Sequence, residues 1–165
     1  MKKTALLLMV AGLLALASPA FAILQRGQQA PPFSVVTTSG QPVTMANYKG
    51  HVLVIDFFAT WCTPCSESIP HLVNLTRKYG KQGLQVLGMS VDEGGDRVLK
   101  AFIADRKITY PVAIANEDLQ TEYSLRSIPT LYLINKKGAV VERFQGYSQE
   151  TGQAMEAAIK RLLAE

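Results

Sequence analysis

Two cysteines stand three positions apart in the run Trp61-Cys62-Thr63-Pro64-Cys65, and the 165-residue chain has no others. Sulfurs this close in sequence are poorly placed to staple distant parts of a fold, because a cross-link stabilises most when it closes a long loop. They suit reversible exchange, in which a thiolate attacks a disulfide and a second thiol resolves the mixed disulfide. Half of a zinc site is the competing reading. Tetrahedral zinc needs four ligands, and besides these cysteines the chain offers only His51 and His71, which fall beside surface turns or helix faces. No metal is therefore expected.

An attacking cysteine needs a lowered pKa and access to solvent. The motif follows the apolar run Val52 to Phe58 and precedes apolar residues at helical spacing, Ile69, Leu72, Val73 and Tyr79. Cys62 is thus expected at a helix start, where unpaired backbone N–H groups and the helix dipole favour an anion. This position makes Cys62 the exposed, attacking residue. Cys65, one turn further in, is the less exposed, resolving one. Thr63 and Pro64 set the turn between the sulfurs, and Pro64 fits the first helical turn, where its missing donor does no harm.

Asp56 is the second candidate. A carboxylate inside an apolar strand is costly to ionise, so its pKa should rise towards neutrality, where it can move protons for a nearby thiol. The role this suggests is general base for Cys65 as it attacks the mixed disulfide, and acid in the reverse step. The third is Ser127-Ile128-Pro129-Thr130, which leads directly into a β-type run. A proline at a strand start is otherwise a simple edge feature.

These residues need a frame. Gln28 to Gly50 reads as a small β-hairpin with its turn at Ser39-Gly40, and Val52 to Phe58 as a strand buried on both faces. A helix follows the cysteines to Gly80, with Pro70 inside it. Leu84 to Val91 is a second buried strand. Asp96 is expected to cap a helix to about Arg106, with Leu99, Phe102 and Ile103 inward. Pro111 to Ala115 is a strand and Asp118 to Leu125 a short helix. Thr130 to Ile134 and Ala139 to Phe144 form a hairpin through Asn135-Lys136-Lys137-Gly138. A closing helix, Gln149 to Ala164, puts Met155, Ala158, Ile159 and Leu162 on one stripe. Alternating strands and helices predict an α/β fold, a three-layer α/β/α sandwich.

Met1-Lys2-Lys3, the apolar run Ala5 to Ala17 and the end Ser18-Pro19-Ala20-Phe21-Ala22 are the parts of a secretory signal peptide. The run is short of the roughly 20 residues that span a bilayer, which favours a signal over an uncleaved anchor. Residues 1–22 are expected to be the signal peptide, with cleavage after Ala22, and 23–165 a single domain acting in the periplasm or another extracytoplasmic space. The formal net charge of +4 includes Lys2 and Lys3, so the remainder is nearly balanced, which argues against nucleic acid as the main partner.

The run Phe57-Phe58-Ala59-Thr60-Trp61-Cys62-Thr63-Pro64-Cys65, with Asp56, Pro70 and Ile128-Pro129-Thr130, resembles the thioredoxin superfamily. Within it the chain is most similar to the exported TlpA/ResA-like thiol-disulfide oxidoreductases. The hairpin at Ala30-Pro31-Pro32-Phe33 and the helix and strand inserted between about Asp96 and Ala115 resemble that branch and the peroxiredoxins. The resemblance implies a thioredoxin-like fold, a redox-active disulfide Cys62–Cys65 with no further cofactor, and a cis-proline loop facing the cysteines. It also implies a substrate groove bordered by Trp61, Thr63, Pro64, Ile128, Pro129 and Gly146, with Ile128 pairing to an extended substrate segment. Implied partners are protein thiols and disulfides and a membrane electron donor of the same chemistry, with the protein monomeric. Cytochrome c maturation proteins of this type place a buried Glu three residues after the second cysteine, where this chain has Ser68.

The leading expectation is a reductase of protein disulfides, with a role in cytochrome c maturation open. A thiol oxidase or isomerase shares every site residue and differs in potential. A peroxidase is disfavoured because the residues before Cys62 lack the proline-bearing peroxidatic motif. A Cu(I) metallochaperone would use the same two thiolates, but the longer cysteine spacing and distal His of such proteins are not evident.

Overall fold

The computed structural model describes residues 23–165; the signal peptide expected over residues 1–22 lies outside them. Its strands are β1 (Ser34–Val36), β2 (Pro42–Thr44), β3 (Val52–Phe58), β4 (Leu84–Ser90), β5 (Val112–Ile114), β6 (Thr130–Ile134) and β7 (Val140–Gln145). Its helices are α1 (Thr63–Tyr79), α2 (Gly95–Asp105), α3 (Glu117–Glu122) and α4 (Gln149–Leu163). β1 and β2 form the small antiparallel hairpin, and the other strands make one sheet in the order β5-β4-β3-β6-β7.

β3 is the reason the sheet closes over the cysteines. Every one of its seven residues is buried, as a continuous apolar run requires of a strand covered on both faces. It pairs in parallel with β4 and antiparallel with β6, while β5 extends the parallel side and β7 the antiparallel one. Successive side chains alternate between faces. Val52, Val54 and Phe58 enter a core layer with α1, α4 and Leu99 of α2, a layer that also holds Cys62 and Cys65. Leu53, Ile55 and Phe57 enter the opposite layer with Phe33, Tyr48 and Leu119. There Phe57, Tyr123 and Tyr132 pack with ring centroids 5.2 to 6.2 Å apart. The α/β sandwich read from the sequence is the observed thioredoxin-like architecture, with hairpin and insertion in place.

Two helix starts differ from expectation. Asp96 does not cap α2: Gly94 occupies the cap position without a side-chain bond, and Gly95 turns the chain with φ +71°. Asp96 sits in the first turn instead, 3.7 Å from Lys100 one turn on. Two glycines made the reversal that a capping side chain would otherwise stabilise. α3 begins at Glu117 because the Asn116 side chain accepts from the Leu119 N–H at 2.9 Å, and Ser124 at φ +49° breaks it before Leu125. Among the described residues no helix is long and apolar enough to cross a membrane.

Candidate active site

β3 runs out of the core at Phe58, and the chain crosses Ala59 to Trp61 before α1 begins. Cys62 is the N-cap of that helix, in extended backbone conformation, and its Sγ accepts from the Cys65 N–H at 3.3 Å. One of the orphan donors of the helix start therefore points at sulfur. Pro64 lies in the first turn, as expected, and Pro70 inside the helix. Cys62 and Cys65 are joined by a disulfide with their Cα atoms 5.3 Å apart.

The expected asymmetry between the sulfurs holds, but the expected exposure of Cys62 does not. Cys62 is only 6% exposed and Cys65 fully buried. The bonded Cys62 lies at the start of α1 and borders an open groove. Thr60, Trp61, Thr63, Ser66, Glu67 and Arg106 line that groove with it, and Cys65 does not. Trp61 stands 71% exposed beside the groove.

Asp56 lies between Val54 and Phe58 on β3, so its side chain enters the layer that contains Cys65. It is fully buried, neither carboxylate oxygen has a hydrogen-bond partner, and burial pushes its pKa up to about 7. Ser68 is fully buried and donates to the Cys65 carbonyl at 2.9 Å, whereas Glu67 is exposed at the groove.

The predicted proline loop leads into β6, and none of Pro64, Ile128, Pro129 and Gly146 is among the residues that line this groove. The Ile128–Pro129 peptide bond is cis, and Ile128 packs against the layer holding both cysteines. The Gly146 N–H donates to the Pro129 carbonyl at 2.8 Å, tying the end of β7 to the proline loop. Thr130 Oγ1 donates to the Ser127 carbonyl at 2.7 Å and closes the turn before Pro129.

One element went unread in the sequence. Asp92, just past β4, is buried, and its carboxylate accepts from the Thr60 N–H at 2.9 and 3.2 Å, from Thr60 Oγ1 at 2.6 Å and from Ser90 Oγ at 2.6 Å. The segment leading to Cys62 is thereby clamped to the end of the neighbouring strand. An acidic residue closing an apolar strand was the available signal. Arg106, which reaches the groove from beyond α2, had no local signal at all.

The AhpC/TSA family profile matches residues 26–143. Thiol-disulfide oxidoreductase ResA of Bacillus thuringiensis subsp. konkukian (strain 97-27) is 30% identical over 141 residues, which are 84% of this chain and 79% of that protein. Thioredoxin-like protein YneN of Bacillus subtilis (strain 168) is 31% identical over 118 residues, 71% of this chain and 69% of that one. A solved thiol:disulfide interchange protein of the thioredoxin family from Chlorobium tepidum TLS superposes with a TM-score of 0.75 at 30% identity, covering 84% of this chain and 98% of its own. The family match spans β3, the start of α1 with both cysteines, and the Ile128–Pro129 loop, and the chain belongs to the AhpC/TSA family as a thiol-disulfide oxidoreductase of thioredoxin-like fold.

Proposed function

We propose that the protein reduces disulfides of other proteins outside the cytoplasm, by dithiol-disulfide exchange through Cys62 and Cys65. The observation that carries this reading is the Cys65 N–H directed at Cys62 Sγ at the start of α1, with the partnerless Asp56 carboxyl on the side of β3 that faces the same core layer. In the reduced protein the Cys62 thiolate attacks a client disulfide. One client sulfur leaves as thiolate and takes a proton from solvent. Asp56 then accepts the Cys65 proton, and Cys65 attacks Cys62 Sγ. The second client sulfur departs as a thiolate and takes up the second proton, so the client has gained two electrons and two protons and the two enzyme thiols are oxidised. The enzyme is left as the Cys62–Cys65 disulfide, the form seen here.

Trp61, Thr63 and Pro64 border one side of the client groove in this reading, and Ile128, Pro129 and Gly146 the other, with the Ile128 backbone pairing to an extended client strand. The redox-active disulfide is the working group, without a separate cofactor. A membrane dithiol donor restores the reduced form, and the signal peptide at residues 1–22 delivers a monomeric domain to the periplasm. Cytochrome c maturation is a candidate process, with apocytochrome thiols as clients; Ser68 in place of a buried acid weighs against a dedicated role.

Expression of the Cys65→Ser variant in the native host should accumulate mixed disulfides through Cys62. Capture of no partner by a reactive Cys62 would overturn client reduction. Equilibration with glutathione fixes the direction: a potential near about −120 mV would make the protein an oxidase instead.

A further inference from the structure

Gly88 is an oddity in β4. It lies in the middle of a buried strand, opposite Asp56 in the parallel register. A Cβ there would stand 3.1 Å from Phe58 Cε1, 3.2 Å from Val112 Cγ2 and 3.4 Å from Tyr110 Cε2. A glycine inside a strand marks a site where something else approaches closely, and here the Tyr110 ring occupies the space. Tyr110 is itself buried, and its hydroxyl shares with the two Asp56 oxygens the condition of being buried without a hydrogen-bond partner. Buried polar groups in native proteins are rarely left unpaired, so each such group calls for a functional reason.

We infer that Tyr110, carried by the segment between α2 and β5, is a positioning residue of the exchange reaction: its hydroxyl donates to the Asp56 carboxylate when Asp56 takes up its charged form, and Gly88 keeps the room that admits the ring. The inference rests on the reading of Asp56 as the base for Cys65. Asp56 must be anionic before it can accept the Cys65 proton, and an anion in an apolar layer needs a donor. Tyr110 keeps its own proton throughout; burial and the Asp56 charge hold its pKa well above the ordinary phenol value. The layer around them holds Val86 of β4, Ile69 of α1, Leu131 and Leu133 of β6, both cysteines and the Tyr79 phenol, and burial is the cause that raises the Asp56 pKa, with no neighbouring charge beside it.

The experiment compares wild type, Tyr110→Phe and Asp56→Asn as full-length reduced proteins. Two quantities are read: the pH midpoint of the Asp56 carboxyl carbon by NMR, and the pH profile of mixed-disulfide resolution. Loss of the donor should raise the Asp56 midpoint by about one pH unit and slow resolution at pH 7 about fivefold, with the rate recovered at higher pH. Tyr110→Phe keeps the ring, so packing alone does not move a carboxyl titration. Gly88→Ala, which crowds the ring while leaving the hydroxyl, should move the midpoint the same way. An unmoved midpoint in Tyr110→Phe overturns the inference, whatever its effect on stability. Slow resolution in Asp56→Asn beside an unmoved midpoint would leave the Asp56 reading intact and remove only Tyr110. Normal resolution in Asp56→Asn would remove the reading of Asp56 as base, and the role of Tyr110 in the reaction with it.

Discussion

Two buried carboxylates flank the cysteine motif, and they are held in opposite ways. Asp92 is saturated, with Thr60 and Ser90 both donating to it, while Asp56 has no partner on either oxygen. Asp92, its oxygens engaged by Thr60 and Ser90, is suited to hold a loop in place. Desolvation without hydrogen bonds favours the neutral form of a carboxylate. Asp56, with its pKa pushed up to about 7, is suited to exchange a proton. The same residue type, on β3 and just past the neighbouring β4, is suited to clamp at one site and to exchange a proton at the other because of the donors around it.

The sharpest way to break this contrast is through pH. Below the ordinary carboxylate value of 3.8, Asp56 is protonated both folded and unfolded. As pH rises from there to about 7, the unfolded chain releases a proton that the folded protein retains, so stability falls; above about 7 the loss is complete. The loss is on the order of 4 kcal/mol. Urea titrations of the oxidised protein at pH 5 and pH 8 should show this slope, and Asp56→Asn should flatten it. A slope that survives the substitution would place its origin elsewhere.

Next comes the kinetic contrast. Asp56→Asn should slow resolution of the mixed disulfide by about a hundredfold, the lower range for a general base, while leaving the first attack by Cys62 nearly unchanged. Asp92→Asn, which preserves shape and some of the bonds, should affect resolution far less. Stopped-flow measurement of the two steps with a disulfide peptide checks both statements, and equal rates in wild type and Asp56→Asn would take Asp56 out of the mechanism.

Asp92→Ala should destabilise the fold by about 2 kcal/mol, since it leaves the part-buried Thr60 donors and the buried Ser90 hydroxyl without their acceptor. Asp56→Ala has no such bonds to lose. The smallest effect is expected for Thr60→Val, about 1 kcal/mol, because the backbone N–H of residue 60 still reaches Asp92 after the hydroxyl is gone. Chemical denaturation at pH 5 ranks the three variants, and a larger loss for Thr60→Val than for Asp92→Ala would reverse the assignment of the clamp.

Much of the frame was legible because its signals are local. The apolar run at Val52 to Phe58, the helical spacing after Cys65 and the glycine at the turn each express a preference of neighbouring residues. Cap positions were the weak points: Asp96 looked like a cap, yet Gly94 and Gly95 made the turn, since backbone freedom leaves no side-chain signature. The exposure of Cys62 was misjudged because it was inferred from the access that exchange chemistry demands, whereas side-chain burial at the helix start is set by tertiary packing.

Residue types and short spacings alone determined the reacting pair and the strand that leads to it, because thiol chemistry and strand or helix periodicity are properties of near neighbours; the cis-proline loop was implied by the family resemblance. Only the tertiary structure decided that Asp92 grips Thr60 across 32 positions and that Gly88 admits Tyr110 beside Asp56. Those meetings depend on the register of β3 against β4 and on the path of the insertion, which are set by the packing of the whole sheet and by no local pattern.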